Sequence, residues 1–162
     1  FKLFEYHFNR LARNKDIHQK EVRIDVIGKW KTLFPASVKK AIENALRATK
    51  HYKKHQLTFL MAYSGTEEMA DAVKKIAQQK AKNKKLNVTK ELIKKNLLTK
   101  HLPPVNLVIR TGGESHWSDG LMMWDVAYAQ LYFTKTFWPA FTPREFKKAI
   151  GIYSKTERRF GT

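Results

Sequence analysis

The stretch Leu57-Thr58-Phe59-Leu60-Met61-Ala62-Tyr63-Ser64-Gly65-Thr66-Glu67-Glu68 holds the fold in miniature. Residues 57–63 are nearly continuous in apolar character, as a strand covered on both faces would be, and Ser64-Gly65-Thr66 stops them. Thr66 reads as the N-cap of a helix. Glu67, Glu68 and Asp71 follow in its first turn, where the helix dipole favours anions, and Lys74, Lys75 and Lys80 lie farther along, where it favours cations.

The same alternation extends in both directions. Upstream, Val22-Arg23-Ile24-Asp25-Val26-Ile27 is a β-branched, alternating strand stopped by Gly28, and a connector over residues 30–35 leads to a helix beginning near Ser37. Val38, Ala41, Ile42, Ala45 and Leu46 form the buried stripe of that helix, and Leu3, Phe4, Phe8 and Leu11 mark an earlier one that fades in Asn14-Lys15-Asp16. Downstream, Thr89 caps a helix through Leu98, Pro103-Pro104 forces a loop, and residues 105–109 form an apolar strand. Residues 120–126 read as helical and 131–133 as a short strand closed by Trp138-Pro139. Thr142-Pro143-Arg144-Glu145 supplies an N-cap, a first-turn proline and a capping-box Glu for a last helix. Strands alternating with helices predict an α/β fold, a mostly parallel sheet flanked by helices, with ligands gathering beyond the carboxyl ends of the strands.

Length and composition narrow the functions. The 162 residues make one domain's worth of chain, taken as a single domain over 1–162. The absence of Cys excludes disulfides, thiolate metal sites and thiol nucleophiles. Every apolar run is interrupted by Lys, Arg or Asp, which excludes a spanning helix of about 20 residues and a secretory leader; a cytoplasmic chain is expected. The formal charge of +18 would attract nucleic acid, anionic lipid or phosphorylated small molecules, without choosing among them. The lysines are scattered along helices, the dense tract at residues 79–85 reads as a solvated face, and no zinc-finger, RNP or basic-zipper pattern is present. Nucleic acid is therefore not favoured. His51 and His55 are four apart but lie where their helix should end and lack a third ligand.

After the 105–109 strand comes Arg110-Thr111-Gly112-Gly113-Glu114-Ser115-His116-Trp117-Ser118-Asp119-Gly120. A guanidinium at a strand end offers a planar fork for phosphate oxygens, paired glycines let backbone amides approach an anion, and Ser118 can donate near a helix N-terminus. This set suits a diphosphate. The competing reading is an ordinary Gly-Gly turn, with Arg110 paired to an acid and Ser118 only capping its helix.

The run Asn106-Leu107-Val108-Ile109-Arg110-Thr111-Gly112-Gly113-Glu114, with Ser118, Trp124, Ala127-Tyr128-Ala129, Tyr132-Phe133, Trp138-Pro139, Phe141 and the ending Glu157-Arg158-Arg159-Phe160-Gly161, resembles the cis-prenyltransferases, the undecaprenyl and dehydrodolichyl diphosphate synthases. The strand read over residues 22–28 and Ala62-Tyr63-Ser64-Gly65 fit the order of that family. The resemblance implies condensation of isopentenyl diphosphate with an allylic diphosphate, Mg²⁺ as cofactor, a homodimer or a heterodimer with a related subunit, and peripheral contact with a membrane as an allowed location. It also implies diphosphate-binding roles for Arg110, Gly112, Gly113, His116, Ser118, Arg159 and Gly161, the last two reaching across a dimer interface. A second phosphate-gripping Arg of the family is replaced by His116, a metal-binding Glu by Gln130, and another Arg by Thr66. Gln130 is a poorer Mg²⁺ ligand than a carboxylate, and Asp119 and Asp125 are the candidate substitutes.

The family's Asp-bearing phosphate loop does not occur in the 162 residues. The chain is therefore expected to correspond to the C-terminal portion of the family's domain, with the N-terminal part of the fold missing and little turnover alone. A non-catalytic partner subunit of a heteromeric enzyme and a basic nucleic-acid-binding protein are the alternatives. Trp124, Tyr128, Tyr132, Phe133 and Trp138 could line a prenyl tunnel but are expected to be mostly core. An exposed apolar patch is also expected.

Overall fold

The computed structural model describes residues 1–156 and resolves two compact units, one over Phe1–Thr99 and one from Lys100 onward. In the first, helices α1 (Lys2–Leu11) and α2 (Lys15–Gln19) precede strand β1 (Val22–Ile27), followed by α3 (Trp30–Leu33), α4 (Ala36–Thr49), β2 (His55–Leu60), α5 (Gly65–Lys82) and α6 (Lys90–Asn96). Strands β1 and β2 pair in parallel, Val22 opposite His55 through Ile27 opposite Leu60. The core lies where α4 packs on β1 and α1: Phe8, Ile24, Val26, Trp30, Val38, Ala41, Ile42 and Ala45 are buried together. Its polar groups are answered. The buried Thr49 hydroxyl accepts from the Ile24 amide at 3.0 Å and donates to the Ala45 carbonyl at 2.9 Å, tying α4 to β1. The Trp30 indole donates to the Val26 carbonyl at 3.2 Å.

Several boundaries differ from the sequence reading. Strand β2 ends at Leu60, because Ala62 takes φ 50°, in the left-handed region where a strand cannot continue. Its first three residues are exposed, so it is not covered on both faces. The cap of α5 is Ser64, whose hydroxyl accepts from the Glu67 amide at 3.2 Å, while Thr66 lies within the helix. Residues 30–33, read as connector, form α3, and Asn14 caps the short α2.

The second unit has strands β3 (Leu107–Arg110) and β4 (Gln130–Phe133), a 3₁₀ turn at Trp138–Ala140 and helix α7 (Pro143–Lys155). These strands are also parallel, Leu107 opposite Gln130 and Arg110 opposite Phe133. The α/β class with parallel pairing agrees with the sequence, although the described strands make two two-stranded sheets. Thr142 caps α7 as expected, accepting from the Glu145 amide at 3.4 Å.

The helix expected over residues 120–126 is absent. Asp119, Gly120 and Met122 have φ of 44°, 61° and 47°, which breaks an α-helical ladder, and the segment closes mainly through i→i−3 bonds such as Leu121 to Ser118 at 2.9 Å. Ser118 therefore caps no helix. The expected aromatic core is also corrected: Tyr128 is 81% and Trp138 74% exposed, Phe133 is partly exposed, and only Trp124 and Tyr132 are half-buried. Tyr128, Phe137, Trp138 and Phe146 are exposed large apolar side chains of this unit. No helix among the described residues is long and apolar enough to cross a membrane.

Candidate functional site

Strand β3 delivers Arg110 at its carboxyl end, and the chain then turns sharply at Gly112 and Gly113, with φ of 94° and 82°. A side chain is disfavoured at such angles, which explains the pair of glycines. Their amides are already engaged: Gly112 donates to the Thr136 carbonyl and Gly113 to the Thr134 carbonyl, each at 2.9 Å. The glycine pair therefore shapes the loop and pins it to the segment after β4. The expectation that these amides approach an anion is corrected by those bonds.

Beyond the pinned turn, the chain folds back over a cavity of about 290 Å³ lined by Val108, Ile109, Arg110, Thr111, His116, Trp117, Ser118, Leu121 and Phe133. Arg110 and Ser118 thus face the same space. The Arg110 side chain is only 20% exposed, held along the cavity wall and ion-paired to Glu114. His116 Nε2 stands 3.4 Å from Arg110 Nη2 and 3.7 Å from Glu114 Oε2, so a single carboxylate oxygen faces both basic groups. Trp117 is fixed over the loop by donating its indole N–H to the Leu121 carbonyl at 3.0 Å. The arrangement combines a fork-shaped cation, an imidazole and a hydroxyl with apolar walls from β3, Leu121 and Phe133. Such a pocket can take a small anion with an apolar tail.

Of the other candidates, Gln130 begins β4 opposite Leu107, three residues back along the strand pair from Arg110, and does not line the cavity. Asp125 is buried and also stands outside that lining. Among the described residues no three His, Asp or Glu side chains cluster as a preformed metal site. His51 lies against Tyr52 in the turn after α4, and His55 opens β2, so a shared helix face does not exist. Arg159 and Gly161 lie outside the described residues. Thr111, Trp117 and Glu114 have no individual role assigned from sequence; Thr111 and Glu114 belong to the run that carries the resemblance, and the alternative of Arg110 paired to an acid is met by Glu114.

These features define an α/β protein with an anion-sized pocket at the carboxyl end of a parallel strand. The chain belongs to the putative undecaprenyl diphosphate synthase family, whose pattern matches residues 1–161. It is 41% identical over 165 residues to the tritrans,polycis-undecaprenyl-diphosphate synthase (geranylgeranyl-diphosphate specific) of Methanocaldococcus jannaschii, covering 99% of this chain and 58% of that protein. The enzyme of the same description from Pyrococcus horikoshii is 39% identical, with 99% and 61% covered. The chain thus spans about three fifths of the length of these relatives. The expectation that it is specifically their C-terminal portion is not borne out by these matches, which give a share of each relative's length.

Among solved structures, a probable undecaprenyl diphosphate synthase from Campylobacter jejuni superposes with a TM-score of 0.82 at 26% identity, over 100% of this chain and 73% of that one. Lavandulyl diphosphate synthase from Lavandula x intermedia superposes at 0.84 with 24% identity, covering 98% and 70%, a likeness of fold. None of these matches favours the accessory-subunit or nucleic-acid readings.

Proposed function

We propose that this chain carries the isopentenyl-diphosphate-binding part of a cis-prenyltransferase that elongates an allylic diphosphate. The observation that carries the reading is the shared cavity of Arg110 and Ser118 at the end of β3. In the reaction, the allylic C–O bond breaks and the electron pair leaves with diphosphate. The terminal alkene carbon of isopentenyl diphosphate bonds to the allylic carbon, and a proton is lost from the extending unit. Arg110 holds the isopentenyl diphosphate by its fork, Ser118 donates to the same group, and the His116 imidazole stands beside them in the lining. The walls formed by Val108, Leu121 and Phe133 suit the hydrocarbon end.

The relatives' description supports geranylgeranyl diphosphate as the allylic partner. Mg²⁺ dependence belongs to the proposal as a family property, with no described residue assigned to the ion. The same holds for a homodimer or related heterodimer in which Arg159 and Gly161 complete a site, for one catalytic domain spanning both units, and for a cytoplasmic location with peripheral membrane contact. Turnover is proposed to be small in the 162 residues alone. The test is incorporation of radiolabelled isopentenyl diphosphate into polyprenyl product by the full gene product, with geranylgeranyl diphosphate and Mg²⁺. Arg110→Ala should lower incorporation at least about a hundredfold, the scale of losing a charge-assisted clamp. Incorporation unaffected by that change would reject the assignment.

A further inference from the structure

We infer that Glu114 is a resident counter-ion of Arg110, standing beside the pocket and competing for its guanidinium until a diphosphate displaces it; the inference rests on the diphosphate reading above. Glu114 Oε2 is ion-paired to Arg110 Nη2 and lies 3.7 Å from His116 Nε2, the same two groups that line the cavity. One carboxylate oxygen therefore engages the guanidinium that a phosphoryl oxygen would use, with the imidazole beside it, although Glu114 itself is not among the residues lining the cavity.

The two partners differ in how firmly they are held. Arg110 belongs to β3 and its side chain is only 20% exposed, whereas the Glu114 side chain is 62% exposed and follows the glycine turn. The base of that turn is pinned through Gly112 to Thr136 and Gly113 to Thr134. Glu114 can therefore leave by rotating its own side chain, with the loop and Arg110 remaining in place. An exposed carboxylate also regains water when it leaves, so its hold on Arg110 is weak enough for a dianionic or trianionic ligand to replace it. The resident carboxylate keeps the guanidinium directed along the pocket wall.

The experiment is calorimetric titration of the full chain with inorganic pyrophosphate at fixed ionic strength. Glu114→Gln and Glu114→Ala should each bind pyrophosphate about twofold to fivefold more tightly than the unaltered protein, the range expected on removing an exposed competing ion pair. Glu43→Gln, which makes the same change of net charge on α4, should leave affinity unchanged, and Arg110→Ala should abolish binding in every background. Unchanged or weaker binding in both Glu114 variants, with binding still lost on Arg110→Ala, would overturn the counter-ion role and leave the diphosphate pocket standing. Equal tightening by Glu43→Gln would reduce the effect to overall charge and overturn it as well. Pyrophosphate binding absent from the unaltered protein and from both Glu114 variants would overturn the diphosphate reading itself, and this inference with it.

Discussion

Glu68 reaches from the first turn of α5 to accept the backbone N–H of Thr99 at 2.8 Å, and its other oxygen accepts from the Tyr63 hydroxyl at 2.6 Å. The carboxylate is only 2% exposed and joins three parts of the first unit: the loop after β2, the start of α5 and the segment after α6. Replacing it with Ala leaves a buried amide without its acceptor. Glu68→Ala should destabilise that unit by about 2–3 kcal/mol, with Tyr63→Phe costing about 1 kcal/mol. Urea unfolding followed by circular dichroism measures both; equal midpoints for Glu68→Ala and the unaltered chain would contradict the role.

Two glycines should respond with opposite signs. At Gly28, φ is 120°, and an added Cβ would collide with the Met61 carbonyl oxygen, part of the backbone where β2 turns away. Gly28→Ala should therefore cost more than about 3 kcal/mol, through strain and displacement of the Lys29 to Ala62 bond. Gly151 lies inside α7 with no neighbouring atom within 4 Å of an added Cβ. Gly151→Ala should stabilise by about 0.5–1 kcal/mol, because alanine loses less backbone freedom in a helix. Thermal unfolding of the two variants checks the pair.

What could be read from the residues divides along local and non-local lines. The strand Val22–Ile27, the cap at Thr89 and the Thr142-Pro143 start of α7 stand as read, because each is specified by neighbours within four residues. The apolar run over 57–63 overshot its strand, since apolar character persists through Met61 and Tyr63 while the backbone leaves the strand at Ala62. Residues 120–126 misled for a similar reason. Their helical composition is overridden by left-handed angles at Gly120 and Met122, and the turn signal of Asp119-Gly120 at the head of the segment outweighs it, while Met122 gives no such signal. In the site, Arg110 is legible because a strand end fixes where it sits, whereas Ser118 was expected beside a helix N-terminus that does not form. The engagement of the glycine amides depends on Thr134 and Thr136, more than twenty residues away in sequence, and no local pattern announces it.

Glu91 makes the start of α6 sensitive to pH, with a definite sign. A hydrogen bond from the Thr89 side chain, followed by its own backbone amide, holds its carboxyl below the ordinary carboxylate range. A group with a depressed folded pKa contributes stability above its unfolded value, and that contribution disappears as pH falls through the folded value. The end of α6 carrying Glu91 should therefore loosen on acidification below the usual carboxylate range. Hydrogen exchange at the Leu92 and Ile93 amides should show this loosening, and Glu91→Gln should abolish the part of it that depends on pH.

The sharpest test of the pocket is a change that keeps charge and removes shape. Arg110 presents a planar fork from a strand end, with its side chain largely enclosed, so two phosphate oxygens can be met by parallel N–H donors. Lysine would place one compact ammonium there, still positive but unable to make both bonds from a fixed plane. Arg110→Lys should weaken isopentenyl diphosphate binding about tenfold, the equivalent of about 1.4 kcal/mol, and Arg110→Ala should weaken it further. If attraction by overall charge were sufficient, Lys would bind as well as Arg, and the affinity of both would fall with salt in parallel. A Kd unchanged by Arg110→Lys across a salt series would therefore reduce the pocket to a basic patch, whereas a loss that persists at high salt assigns the recognition to the guanidinium's geometry.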